Sequence, residues 1–161
     1  MGEVERMGKY LKLIRSSAGW TAKDLGDRIG VTRQTINNIE AGRSKLTKTE
    51  YIAIRSVIDD EIGKFGPDET RMLIDLLDLL IDNPEKYDKE QKEKLLSYAT
   101  TMEASITSGS AKRAEVSKRW NQIVEMLGYV LLGVGLYEIY SDYKNNKNNN
   151  SWLAKIINNK K

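Results

Sequence analysis

Four polar side chains between residues 33 and 38 have the types and spacing that could recognise the edges of nucleic-acid bases. On a helix that begins at Thr32, they share one arc of roughly 140° that contains no acid, and isoleucines occupy the opposite side. An arginine can bond guanine O6 and N7 through two hydrogen bonds, and an asparagine or glutamine amide can do the same for adenine N6 and N7. The arc therefore predicts base contacts in a DNA major groove. The expected base-contacting residues are Arg33, Gln34, Asn37 and Asn38.

Hydroxyl and cationic side chains flank this polar arc and could bind phosphate. The first amides of a helix lack intrahelical partners, so hydroxyls and cations near a helix N-terminus are well placed for phosphate oxygens. The expected phosphate-contacting residues are Thr21, Thr32, Thr35, Arg43, Lys45 and Lys48.

Two short helices must position these side chains, and their starts have similar local chemistry. The hydroxyls of Thr21 and Thr32 can cap the two helices, and Asp24 resembles the second half of a capping box at the first helix. Gly30 and Gly42 can adopt the left-handed conformation that ends each helix. The sequence therefore predicts two consecutive capped helices joined by a tight turn.

Short motifs of apolar, glycine and polar residues follow one another along residues 11–59. They are Leu11-x-x-Ile14-Arg15, Thr21-x-x-Asp24-Leu25, Ile29-Gly30-Val31-Thr32-Arg33-Gln34-Thr35-Ile36 and Ile39-Glu40-Ala41-Gly42-Arg43. In this combination the segment resembles the Cro/C1-type (XRE) helix-turn-helix family of phage and bacterial repressors. The resemblance implies a five-helix lambda-repressor-like domain, dimeric binding to an inverted repeat and base contacts from the polar arc.

Two residues depart from the pattern of that family. Ala22 stands where many members carry a glutamine that contacts phosphate and braces the recognition helix. Alanine cannot make that contact with the DNA backbone. Gly26 replaces a usual alanine, at a helix-propensity cost of about 1 kcal/mol, while still permitting a close approach of the two helices.

The chain of 161 residues contains no cysteine and no histidine. Thiolate nucleophiles, disulfides and imidazole bases are therefore excluded, together with most metal chemistry. The sequence also has no Gly-rich phosphate loop, no nucleophile elbow and no Ser-Lys autoprotease domain. We expect neither an enzyme nor a cofactor.

Apolar residues three and four apart recur almost throughout the chain, so the sequence predicts an all-α protein. Helices are expected at Glu5–Ala18, Thr21–Ile29, Arg33–Ala41, Lys48–Asp59, Asp68–Asp82, Pro84 to about Ser105, and Ala111 to about Tyr143.

Charge and apolar content divide the chain into four expected segments. Residues 66–110 are acidic, whereas residues 1–65 and 111–161 carry a net positive charge, so a polyanion is expected at either end. We expect a helix-turn-helix domain at 1–65, a helical hairpin at 66–110, a long helix at 111–143 and an Asn/Lys-rich tail with a short amphipathic end at 144–161.

A broad apolar stripe runs along the predicted helix Asp68–Asp82, opposite three aspartates. Such a stripe needs a covering partner. A hairpin that also dimerises is the favoured interpretation, because repressors of this type generally bind two half-sites ~34 Å apart. Packing against the N-terminal domain of the same chain is the alternative. The residues expected at a dimer interface are Met72, Leu73, Leu76, Leu77 and Leu80.

Residues 123–140 are the most apolar in the chain and leave two interpretations open. The uncharged stretch Met126–Tyr137 spans only about 18 Å of a ~30 Å hydrocarbon core, which favours a buried or oligomeric helix. A membrane anchor is the alternative, because glycine is tolerated in membrane helices and aromatic residues flank the stretch. The first residues show no secretory signal, so we expect a cytoplasmic protein or a membrane-anchored one with a cytoplasmic N-terminal domain.

The favoured function is a dimeric, sequence-specific repressor of transcription that binds double-stranded DNA. An antitoxin-like autoregulator is an alternative, in which the C-terminal half binds a protein or peptide partner. A regulator tethered to a membrane through residues 123–140 is a further alternative.

Overall fold

The computed structural model describes residues 1–128 and 151–158, and the regular structure of these residues is entirely helical. The predicted all-α fold class is therefore confirmed. The first half contains α1 (Glu3–Ser17), α2 (Ala22–Ile29), α3 (Arg33–Glu40) and α4 (Lys48–Phe65). The second half contains α5 (Arg71–Leu77), a π-helical turn (Asp78–Asp82), a 3-10 turn (Pro84–Lys86), α6 (Lys89–Thr107), α7 (Arg113–Met126) and α8 (Ser151–Asn158).

Side-chain caps fix the starts of α2 and α3, as the sequence predicts. The Thr21 hydroxyl accepts a hydrogen bond from the Asp24 amide at 3.0 Å, and the Asp24 carboxylate accepts one from the Thr21 amide at 2.9 Å. At α3, the Thr32 hydroxyl accepts a hydrogen bond from the Thr35 amide at 3.1 Å. A cap of this kind typically stabilises a helix by about 1 kcal/mol.

The turn between α2 and α3 brings the two backbones unusually close. Gly30 ends α2 with a φ of 78°, in the left-handed region. The amides of Gly30 and Val31 both donate to the carbonyl oxygen of Gly26 at 2.9 Å. An ideal Cβ at Gly26 would lie 2.7 Å from the carbonyl oxygen of Val31. The glycine that departs from the family pattern is therefore matched to this close approach.

One hydrophobic core joins the two halves of the chain, and α1 is central to it. α1 contacts α3 and α4, and also α5, the π-helical turn and α6. Arg6 of α1 donates two hydrogen bonds to the carbonyl oxygen of Ile81, at 2.9 and 2.6 Å. Arg55 of α4 binds the carboxylate of Asp82 through two nitrogens, at 2.7 and 3.1 Å. The core is thus continuous across the domain boundary expected at residue 65.

Two helices that follow residue 65 differ from their predicted form. The predicted helix Asp68–Asp82 begins only at Arg71 and ends in the π-helical turn. The predicted helix at Pro84 starts later, because Asp88 caps α6 through a capping box with Gln91. Four helices lie within residues 1–65, where the resemblance implied five. The next helix along the chain, α5, lies beyond residue 65 and packs against α1.

The apolar stripe expected to mediate dimerisation is covered by the chain itself. Its side chains are between 0% and 4% exposed, so they are not available to a second copy in this structure. The alternative interpretation, packing within the same chain, describes what is observed. Helical periodicity indicates that a face is buried but does not identify what buries it. The residues buried in this way are Met72, Leu73, Leu76, Leu77 and Leu80.

The apolar segment 123–140 lies only partly within the described residues. α7 ends at Met126, and Gly128 has a φ of 69°, so the long helix expected from Ala111 ends there. Residues 129–140, on which the membrane interpretation depends, lie outside the described residues. No helix in the part of the chain that the structure describes is long and apolar enough to cross a membrane. The expected amphipathic end forms α8, and its Ile156 is buried in the core.

Candidate nucleic-acid interface

α3 presents the predicted polar arc on its outer surface. Arg33 and Gln34 are exposed, and Asn37 and Asn38 are partly exposed. The opposite face is fixed in the core by two isoleucines that are at most 4% exposed, Ile36 and Ile39. Burial of these two side chains contributes roughly 1.5 to 3 kcal/mol each. The polar arc therefore sits on a helix that cannot rotate without exposing its apolar face.

A hydrogen-bond network orders part of the arc before any ligand binds. The side-chain oxygen of Asn38 accepts hydrogen bonds from Gln34 Nε2 and from Arg43 Nε, each at 3.0 Å. No hydrogen bond among the described residues uses the Asn38 amide nitrogen or the Gln34 side-chain oxygen. The network also joins Arg43, expected at phosphate, to the predicted polar arc. The sequence pattern did not indicate this link, because the two residues lie on opposite sides of the helix end.

The residues expected at phosphate lie at the helix starts and in the loop after α3. The hydroxyls of Thr32 and Thr35 are 3.0 Å apart, so both are gathered at the α3 N-terminus. The remaining predicted residues, Thr21, Arg43, Lys45 and Lys48, are exposed. At α2, the backbone hydrogen bond from Thr21 lowers the pKa of Asp24 below its ordinary value, which keeps the capping box ionised.

A buried ion pair holds α3 against α1. Arg15 Nε lies 2.5 Å from one carboxylate oxygen of Glu40, and Arg15 Nη2 lies 3.1 Å from the other. The third guanidinium nitrogen donates to the carbonyl oxygen of Trp20 at 2.8 Å. Arg15 thus connects α1, the turn before α2 and the end of α3. Both residues belong to the motifs quoted above, but a separation of 25 residues gave no signal that they would pair.

A groove of about 700 Å³ runs beside the N-terminus of α2 and the exposed side of α3. We call it the α2–α6 groove, because the last turns of α6 form its other wall. Two cations that the sequence did not single out, Lys12 and Lys23, line it together with the predicted contact residues. The lining includes Thr21, Arg33 and Asn37 from the predicted site and Glu103, Ala104 and Thr107 from α6.

The geometry defines the class of protein. Two capped helices joined by a tight glycine turn, with the second exposing a polar face, form a helix-turn-helix motif, which places its second helix in the major groove of DNA.

Comparison with known families agrees with this class. Residues 11–59 match the family model described as Helix-turn-helix. Over this segment the match supports a DNA-binding transcriptional regulator of the Cro/C1 (XRE) type. The helices after residue 59 lie beyond that match. The chain matches none of the curated proteins and none of the solved structures with which it was compared.

Proposed function

We propose that the protein is a repressor that binds an inverted repeat in double-stranded DNA as a dimer. One observation carries this proposal: α3 exposes an acid-free arc of forked donors and acceptors while its opposite face is fixed in the core. Such side chains match the hydrogen-bonding edges of guanine and adenine in the major groove. The resemblance to phage and bacterial repressors supports repression as the mode of regulation.

The two kinds of predicted contact have separate roles in this proposal. Arg33, Gln34, Asn37 and Asn38 distinguish one base sequence from another. The hydroxyls at the helix starts and the cations of the loop after α3 hold the DNA backbone and carry no sequence information. The hydrogen bond from Gln34 Nε2 to the side-chain oxygen of Asn38 holds two of these side chains together on α3.

Dimeric binding follows from the short length of the recognition helix. A helix of eight residues is only about 12 Å long and reaches a few base pairs, which is too little for selective binding. Two copies on half-sites ~34 Å apart double the sequence that is read. The apolar stripe of α5 is buried, so it does not join the two copies. We propose that they meet through a different surface, or that each binds its own half-site without touching the other.

Selection of bound duplexes from a random-sequence library tests the proposal. The expected result is a motif with two-fold symmetry, with half-site centres roughly 10 base pairs apart. A motif without such symmetry would contradict dimeric binding. Recovery of no motif, with binding equal for all duplexes, would contradict sequence-specific recognition.

A further inference from the structure

The end of α6 lies beside the residues that are expected to contact DNA. α6 packs against α1, and this brings Glu103 and Thr107 to one wall of the α2–α6 groove. The other wall carries Arg33 and Asn37, expected at base edges, and Thr21, expected at phosphate. The residues from α6 lie outside the family match, so nothing in the helix-turn-helix resemblance assigns them a role.

Glu103 is unusual among the side chains that line this groove. Among the described residues that line the groove it is the only acid, and the other charged residues are lysines and arginines. Its Oε2 atom is buried and accepts no hydrogen bond from the residues that the structure describes. Within those same residues, no lysine or arginine forms an ion pair with it. The Glu103 side chain is only partly buried, and no described cation neutralises its charge.

We propose that the end of α6 belongs to the DNA-binding surface and that Glu103 lowers the affinity of the protein for DNA. The inference rests on the proposed function. A duplex whose bases contact Arg33 and Asn37, and whose phosphates contact Thr21, must lie across the groove. Glu103 lines the same groove as Lys12 and Lys23, so its negative charge repels phosphates that these two cations attract.

The repulsion acts on phosphates, so it weakens binding to every DNA sequence alike. Phosphate contacts supply most of the affinity for non-specific DNA, whereas base contacts supply discrimination. Glu103 therefore limits occupation of random sites and leaves the preference for the correct site unchanged.

The test compares Glu103→Gln with Glu90→Gln, which removes the same charge from the other end of α6. The two positions lie about 20 Å apart along the helix, more than twice the ~8 Å screening length at physiological salt. Affinity is measured by fluorescence anisotropy on a random-sequence duplex and on the duplex recovered by selection. Glu103→Gln should tighten binding to both duplexes by about 3- to 10-fold, and Glu90→Gln by less than about 2-fold.

Two further variants keep the outcomes distinct. Thr107→Lys adds a cation to the same exposed wall without altering Glu103, and it should also tighten binding to both duplexes. Equal effects of Glu103→Gln and Glu90→Gln, or no tightening by Glu103→Gln and Thr107→Lys, would overturn the inference. If Arg33→Ala nevertheless weakens binding to the selected duplex, only the role of α6 is lost. If the wild type itself shows no preference for that duplex, the proposed function fails instead.

Discussion

Arg15 of α1 and Glu40 at the end of α3 form a buried ion pair with two hydrogen bonds, the shorter of them 2.5 Å long. Both side chains are about one-tenth exposed or less. An ion pair therefore joins α3, which carries the predicted base-contacting residues, to α1 at the centre of the core.

Removing one partner of this pair should destabilise the protein and displace α3. Glu40→Gln leaves the Arg15 charge buried without its counter-ion, so the free energy of unfolding should fall by about 3 to 5 kcal/mol. Chemical denaturation measures this loss. Glu50→Gln, a change of the same type at the exposed start of α4, should cost about 1 kcal/mol or less. Comparable losses for the two variants would contradict a special role for the pair.

A second buried carboxylate should make stability depend on pH. Asp75 accepts a hydrogen bond from Trp120 Nε1 at 2.8 Å and lies 3.5 Å from Arg71 Nε. Burial raises the pKa of Asp75 to about 6, with a smaller contribution from Asp78, and the contacts with Trp120 and Arg71 only partly oppose the rise.

The raised pKa fixes the sign of the effect. The folded state holds the Asp75 proton more tightly than the unfolded state, whose pKa is about 3.9, so this group favours folding below pH 6 and loses that contribution as pH rises through 6. Between pH 7.5 and pH 5, the wild type should gain about 1.4 kcal/mol relative to Asp75→Asn. Urea denaturation of both proteins at the two pH values measures the gain. Parallel pH profiles would show that Asp75 does not titrate in this range.

The turn between α2 and α3 predicts opposite effects for two glycine substitutions. Gly26→Ala should destabilise the fold by about 1 to 3 kcal/mol, because its Cβ would meet the Val31 carbonyl oxygen at 2.7 Å. Gly8→Ala should stabilise α1 by about 0.5 to 1 kcal/mol, because its Cβ would make an ordinary 3.5 Å contact with Leu46. Thermal unfolding measures both shifts. A higher melting temperature for Gly26→Ala would refute the steric argument.

The local sequence predicted where helices begin and end better than it predicted which helices pack together. The caps at Thr21 and Thr32 could be predicted because each depends on residues within three positions along the chain. What buries the apolar stripe of α5 could not be predicted, because an apolar face packs equally well against its own chain or against a second copy. The Arg15–Glu40 pair and the approach of Glu103 to α3 depend on how α1 places distant helices, which no local pattern contains.

Arg33, on the exposed face of α3, offers the most direct test of base recognition. Binding of wild type and Arg33→Ala is compared on the selected duplex, on single-base variants of it and on random DNA, with Lys45→Ala as the control. Arg33→Ala should cost ~1 to 3 kcal/mol on the selected duplex and relax discrimination at one base position. Lys45→Ala should weaken binding to all duplexes similarly and reduce the salt dependence by about one phosphate contact. Equal losses for Arg33→Ala on selected and random DNA would contradict base recognition by α3.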